Sequence, residues 1–170
     1  QENKSFEDDL LQALAHDEIK VYYQPIAATV TRVIYGYEAL VRWFHPVRGA
    51  VPPTVFIPVA EKIGLINTLG EWVLKTACAE AASWATPLKV SVNVSPIQLM
   101  NTSSTDTIIG VLQQTGLDPR RLDLEITESD VFNENTRSLE ILSQLREQGI
   151  QISIDDFGTG YSSLSRLSYF

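Results

Sequence analysis

Acidic side chains recur at segments where apolar and polar residues alternate. Glu38 stands alone, Glu125 and Glu128 lie three residues apart, and Asp155 and Asp156 are adjacent. Several carboxylates brought close together cannot all stay ionised without positive charge between them. Divalent cations that prefer oxygen ligands supply that charge, so these residue types favour Mg²⁺ or Mn²⁺. Two such ions are the usual arrangement for hydrolysis of a phosphodiester.

Each of these acidic residues also has a simpler interpretation. Glu38 could form an ordinary ion pair with Arg42, which lies four residues along the same strand face. The segment 158–163 combines glycines and hydroxyls before a helix, which suits phosphate binding, a mobile lid or a plain turn. Only a joint placement on the inner face of neighbouring strands would favour the metal site over these alternatives.

Strands and helices alternate along most of the chain. Apolar and polar alternation predicts strands at 19–28, 32–44, 88–94, 122–127 and 150–157. Helical spacing predicts helices within 6–16, 51–63, 68–84, 105–115, 135–148 and 162–167, the fifth ending before Gly149. A strand followed by a helix and another strand is typical of parallel βαβ units.

The last three strands each have one aliphatic face and one polar face. In 88–94, valines alternate with serine and asparagine, and the other two strands follow the same rule. A doubly wound sheet buries both faces and favours continuous apolar runs. A barrel fits better, because its aliphatic faces point outward to the helices. Barrel active sites lie at the carboxyl ends of the strands, and here those ends carry Asn93, Glu125 and Asp155.

Composition excludes several classes of protein. The 170 residues include 13 Lys and Arg and 21 Asp and Glu, so the formal net charge is −8. This balance argues against a DNA or RNA duplex as partner. The single cysteine, Cys78, excludes internal disulfides and fits a reducing compartment. No apolar run approaches the roughly 20 residues of a membrane span, so we expect a cytoplasmic domain, which includes the cytoplasmic part of a membrane-anchored protein.

Six blocks of residues occur in the order of a known family. They are 22–26 (YYQPI), 38–43 (EALVRW), 56–61 (FIPVAE), 91–95 (SVNVS), 125–128 (EITE) and 155–164 (DDFGTGYSSL). From about residue 6 onward, the chain resembles the EAL domains of bacterial cyclic-di-GMP phosphodiesterases. This resemblance implies an α/β fold, a (β/α)₈ TIM-like barrel with an antiparallel first strand, of which about the first five strands are present.

The same resemblance implies a reaction and a set of site residues. The reaction is hydrolysis of cyclic-di-GMP to linear pGpG with two Mg²⁺ or Mn²⁺ ions. Matching positions would make metal ligands of Glu38, Asn93, Glu125, Asp155 and Asp156, with Asp155 shared by both ions. The catalytic set would be Glu38, Asp155, Asp156 and Glu128, the last of which would hold the loop 156–163 in shape. The substrate would be lined by Gln24, Leu40 and Arg42, with Arg42 facing a phosphate.

The resemblance also implies neighbours and partners. Residues 1–18 resemble the connector helix that often follows a diguanylate-cyclase domain, so the parent chain is expected to carry such a domain or a sensor domain. Residues 19–170 resemble the N-terminal two-thirds of an EAL domain, which dimerises in this family. The sequence reaches Phe170 before the family's lysine-bearing strand and a later metal-binding glutamate. We therefore expect residues 1–170 by themselves to be inactive.

Two alternatives to an enzyme stay open at this point. One is a catalytically silent domain that senses cyclic-di-GMP or a protein partner. The other is a half-barrel that acts only in oligomerisation. Silent members of the family usually lose the first Glu or one Asp of the pair, whereas Glu38, Asp155 and Asp156 are all retained here, which favours an active parent.

Overall fold

The computed structural model describes residues 2–101, 103–127 and 136–155, with side chains over 5–101, 103–126 and 137–154. The strands in these ranges are β1 Ile19–Ala27, β2 Ile34–His45, β3 Gly49–Val51, β4 Lys89–Asn93, β5 Leu122–Thr127 and β6 Gln151–Asp155. The helices are α1 Glu2–Ala13, α2 Pro53–Lys62, α3 Ile66–Ser83, α4 Pro96–Met100, α5 Ser104–Thr115 and α6 Thr136–Glu147. A short 3₁₀ turn covers Pro119–Arg121.

The described strands form one sheet. Their order is β1-β2-β4-β5-β6, and β3 pairs with β2 off this path. The strands β1 and β2 form an antiparallel hairpin, while β2, β4, β5 and β6 follow one another in parallel. Helices connect the parallel strands, as βαβ units require. The predicted α/β class and antiparallel first strand are therefore confirmed.

The hydrophobic core lies between the aliphatic strand faces and the helices. On β4, Val90 and Val92 are buried, and on β5 the same holds for Leu122, Leu124 and Ile126. They belong to one cluster with side chains from the helices α1 to α6. Burying a side chain of this size contributes about 1.5–3 kcal/mol. The cluster therefore fixes which face of each strand turns toward the helices and leaves the polar face on the other side.

Some helices and strands end at other residues than predicted, because the local backbone conformation sets where they end. The first helix ends at Ala13 rather than at residue 16, because Asp17 has a left-handed conformation with φ of 58°. The Glu18 amide then donates to the Ala13 carbonyl at 2.9 Å and turns the chain into β1. The short elements β3 and α4 were not predicted. The predicted helix 162–167 lies outside the described residues.

Two other features bear on the sequence predictions. Helix α6 ends before Gly149, whose φ of 94° suits glycine, so the predicted helix end is confirmed. Among the residues that the structure describes, no helix combines the length and the apolar character needed to cross a membrane.

Candidate metal and substrate site

The strand register aligns polar side chains across the inner face of the sheet. Gln24 lies opposite Glu38, and Glu38 lies opposite Ser91. Ser91 in turn lies opposite Asp123, which lies opposite Gln151. Since directly paired residues project from the same face of a sheet, these five side chains form one row across five strands. The sequence prediction of a polar inner face is reproduced by this register.

A side-chain contact between two predicted ligands joins β2 to β4. The Asn93 carboxamide donates from Nδ2 to Glu38 Oε1 at 3.0 Å, across 55 residues of sequence. Parallel pairing of Glu38 with Ser91 brings the two side chains together, because Asn93 lies two residues further along β4. The bond directs the amide nitrogen toward Glu38 and so distinguishes the two ends of the carboxamide.

Glu125 joins this pair from the next strand. Its Cα is the register partner of Asn93, and its carbonyl accepts the Val94 amide at 2.9 Å. Glu38, Asn93 and Glu125 therefore lie on three neighbouring strands, with Asn93 in the middle. One step further toward the carboxyl ends, the backbone of Asp155 pairs with that of Thr127, which places Asp155 on the strand beside Glu125.

Part of the predicted site falls outside the described residues. Glu128 and Asp156 lie there, and for Asp155 the backbone is described while the side chain is not. Among the described side chains, no group of three or more His, Cys, Asp and Glu lies close enough to hold an ion. The predicted ligands whose side chains are described are two carboxylates and one carboxamide, contributed by Glu38, Glu125 and Asn93.

The predicted substrate residues lie on the first hairpin. Gln24 faces Glu38, Leu40 faces Tyr22, and Arg42 faces Lys20 across the β1–β2 ladder. The Arg42 guanidinium donates from Nη1 to the Val41 carbonyl at 2.9 Å. Within the described residues, Arg42 forms no ion pair with Glu38.

A network of polar side chains joins β4, β5 and β6 next to the candidate ligands, and the sequence did not predict it. Ser153 donates from its hydroxyl to both oxygens of Asp123, at 2.8 and 2.9 Å. Lys89 Nζ donates to the side-chain oxygen of Gln151. Asp123 is only 2% exposed, and a buried carboxylate needs such partners to offset desolvation. Alternation within 122–127 does place Asp123 on the polar face. It does not indicate that Ser153 on β6 would be its hydrogen-bond partner.

The donor chemistry of the described site fits a hard divalent cation. Its side chains offer carboxylate and carboxamide oxygens, which are ligands that Mg²⁺ and Mn²⁺ prefer. With the Asn93 amide nitrogen directed at Glu38, the oxygen Oδ1 is the atom that would face a cation. Thiolate chemistry is excluded at this place, since Cys78 is buried in α3 and burial raises its pKa to about 12.

Comparison with known proteins identifies the family. The sequence model of the EAL domain matches residues 7–170, so the chain belongs to the EAL domain family. An uncharacterized signaling protein of Caulobacter vibrioides is 52% identical over 169 residues, which are 99% of this chain and 21% of the relative. The bifunctional diguanylate cyclase/cyclic di-GMP phosphodiesterase MucR of Pseudomonas aeruginosa is 42% identical over 168 residues, or 96% of this chain and 24% of MucR.

A solved structure supports the same assignment. The PaMucR phosphodiesterase in complex with c-di-GMP matches with a TM-score of 0.87 and 41% identity, over 94% of this chain and 66% of that chain. EAL domains are TIM-barrel-like, so the mostly parallel sheet described above is part of such a barrel. The chain spans between a fifth and a quarter of the length of the two curated relatives, at 21% and 24%.

Proposed function

We propose that this chain forms the part of a cyclic-di-GMP phosphodiesterase that holds the first divalent cation and one side of the substrate. The observation that carries the proposal is the juxtaposition of Glu38, Asn93 and Glu125 on three neighbouring strands, with the 3.0 Å bond between the first two. The match to MucR, whose name includes cyclic di-GMP phosphodiesterase, supports the substrate class.

In the proposed site, most of the named residues bind the cations and one residue supports the neighbouring loop. Glu38, Asn93 and Glu125 would hold the first Mg²⁺ or Mn²⁺ together with Asp155, and Asp155 and Asp156 would serve the second. Bound divalent ions supply Lewis-acid chemistry, which polarises a phosphoryl oxygen and makes a water more acidic. Glu128 would keep the loop that follows Asp156 in its working shape.

The substrate would lie across the first hairpin. Arg42 faces Lys20 there, and the Lys20 ammonium is paired with Asp17 at 2.6 Å. The Arg42 guanidinium is therefore the positive group that would favour a phosphate diester over a neutral ligand. Gln24 and Leu40 would contact the rest of the nucleotide. In the reaction, water adds hydroxyl to one phosphorus, the bond from that phosphorus to the ribose 3′ oxygen breaks, and that oxygen takes the proton. The linear product is pGpG.

The setting of the domain is part of the same proposal. Helix α1 and the turn up to residue 18 would connect a diguanylate-cyclase or sensor domain to the barrel, as the composite name of MucR suggests. We further expect a homodimer through the EAL domain and a cytoplasmic location. Gel filtration with light scattering tests the dimer, because a monomeric mass at micromolar concentration would contradict it.

Nucleotide analysis by liquid chromatography tests the proposed reaction. The full natural polypeptide, incubated with cyclic-di-GMP and Mg²⁺ or Mn²⁺, is expected to produce pGpG and to lose this activity in Glu38→Gln. Glu147→Gln removes the same charge from the exposed end of α6 and should leave turnover unchanged. Equal turnover in Glu38→Gln and the parent would contradict the metal assignment.

Two further outcomes of this assay are informative. We expect residues 1–170 by themselves to be inactive, so pGpG formation by this chain alone would contradict that expectation. Cyclic-di-GMP that binds the full polypeptide with Mg²⁺ but is never hydrolysed would make the domain a sensor rather than an enzyme.

A further inference from the structure

The segment after β4 is held by a side chain that the proposed reaction does not use. Glu61, on α2, accepts a hydrogen bond from the hydroxyl of Ser95, two residues beyond Asn93. We propose that Glu61 is a positioning residue, which fixes Ser95 and thereby keeps the Asn93 carboxamide directed at Glu38. The inference rests on the proposed function, because it assigns Glu61 to the support of that metal site.

The contact between Glu61 and Ser95 is short and links distant parts of the chain. Ser95 Oγ lies 2.5 Å from Glu61 Oε1, across 34 residues of sequence, and the pair is partly buried. Hydrogen bonds from a hydroxyl to a carboxylate are charge-assisted and stronger than those between neutral groups. Helix α2 therefore restrains the segment just beyond the candidate ligand.

A second contact restrains the same residue from Gln98 of α4. The Ser95 amide donates to Gln98 Oε1 at 3.0 Å, and Pro96 begins α4 directly after it. The Gln98 side chain in turn lies against Gly70, where an added Cβ would overlap its amide. Ser95 is thus held through its hydroxyl by Glu61 of α2 and through its amide by Gln98 of α4, whose side chain packs against Gly70 of α3.

The restraint reaches Asn93 through the backbone of the single intervening residue, Val94. The Val94 amide is bonded to the Glu125 carbonyl at 2.9 Å, so the strand direction is fixed between Asn93 and Ser95. A cavity of about 100 Å³ lies beside this segment, lined in part by Asn93, Val94, Gly70 and Gln98. Because this space is not filled by side chains, the Ser95 end of the segment has room to shift when the Glu61 contact is lost.

The experiment first reads the orientation of Asn93 without any metal. In ¹⁵N-labelled protein, the side-chain NH₂ resonances of Asn93 are assigned by their loss in Asn93→Ala. Glu61→Ala and Ser95→Ala are expected to shift them, whereas Glu61→Gln, which keeps an oxygen acceptor, should retain the parent shifts. Glu147→Gln, which lies on the distant α6, is the charge control. Unchanged Asn93 resonances in both alanine variants would overturn the proposal.

The second measurement separates positioning from mere stability. In the full natural polypeptide, Glu61→Ala should raise the Mn²⁺ concentration for half-maximal activity about 10-fold or more, as loss of a support of metal ligands typically does. The KM for cyclic-di-GMP should change less than about 2-fold, and Glu61→Gln should restore most of the Mn²⁺ response. A lower unfolding midpoint with an unchanged Mn²⁺ response would make Glu61 a structural residue only.

The two proposals fail in distinguishable ways. A parent polypeptide that needs no Mn²⁺ or Mg²⁺ would overturn the proposed function, while the metal-free Asn93 resonances would still decide the positioning role. If Glu61→Ala does not fold, Ser95→Ala and Ser95→Thr decide instead. Threonine keeps the hydroxyl and should behave as the parent, whereas a threonine variant that behaves as alanine does would contradict a role for the hydrogen bond.

Discussion

Replacing Asn93 by Asp would convert a hydrogen bond at the candidate site into a contact between two carboxylates. The parent bond runs from Asn93 Nδ2 to Glu38 Oε1 at 3.0 Å. Alanine at the same position removes the bond and adds no charge. Comparison of the two variants therefore separates the repulsion from the loss of the bond.

The expected loss of stability follows from the distance between the Asn93 and Glu38 side chains and from the exposure of Asn93 to solvent. Loss of a hydrogen bond to a charged group costs about 1.5–3 kcal/mol when the bond is buried and less here, because Asn93 is exposed. Two unit charges at that separation repel by about 1.4 kcal/mol in water, and both side chains can turn outward. We therefore expect the free energy of unfolding of Asn93→Asp to be about 1 kcal/mol lower than that of Asn93→Ala.

Urea denaturation at low ionic strength measures this difference. Gln113→Glu, which adds a carboxylate to the exposed face of α5, serves as the charge control. Glu38→Gln combined with Asn93→Asp should recover stability, because the new amide can donate to the new carboxylate. Millimolar Mg²⁺ should stabilise Asn93→Asp more than Asn93→Ala. If the Asp and Ala variants are equally stable, Glu38 and Asn93 do not lie in contact, and the reasoning is refuted.

Three other predictions concern parts of the fold away from this contact. Phe56→Ala should destabilise the chain by about 3–5 kcal/mol in the same denaturation assay, since Phe56 is fully buried. Cys78 is fully buried, and burial raises its pKa to about 12, so a disulfide reagent at pH 8 should modify Cys78 only in molecules that have opened or unfolded. Hydrogen bonds from Arg120 lower the pKa of Asp118 to about 2. Asp118 therefore stabilises the fold above about pH 4, and this contribution is lost as the pH falls toward 2. Denaturation midpoints between pH 4 and pH 2 should fall less steeply in Asp118→Asn than in the parent.

Sequence periodicity predicted the strands well because each has one buried face. The alternation within 88–94 and 122–127 predicted which side chains pack against helices, and Val92 and Leu124 are indeed buried. The short strand β3 escaped prediction because three residues are too few to show a period. Helix α4 escaped for the same reason, with five residues.

In the candidate site, too, some features could be predicted from the sequence and one could not. Motif order predicted Glu38, Asn93 and Glu125 as one group, and the register of three strands brings them together. The contact of Glu61 with Ser95 depends on where α2 packs in three dimensions. No local pattern encodes that packing, so sequence alone could not identify the contact.

The first hairpin has a consequence for the order of folding. Gln24 and Glu38 become partners by closing a short loop, in which the Ala28 amide donates to the Val33 carbonyl at 3.0 Å. Glu38 and Asn93 meet only after a separation of 55 residues has closed. The longer closure costs about 1.2 kcal/mol more in chain entropy. The proposed substrate side of the site therefore forms from local contacts, and the proposed cation side is completed in a later step. A cation that joins β2 to β4 stabilises contacts formed late, so its binding lengthens the lifetime of the folded state more than it accelerates folding.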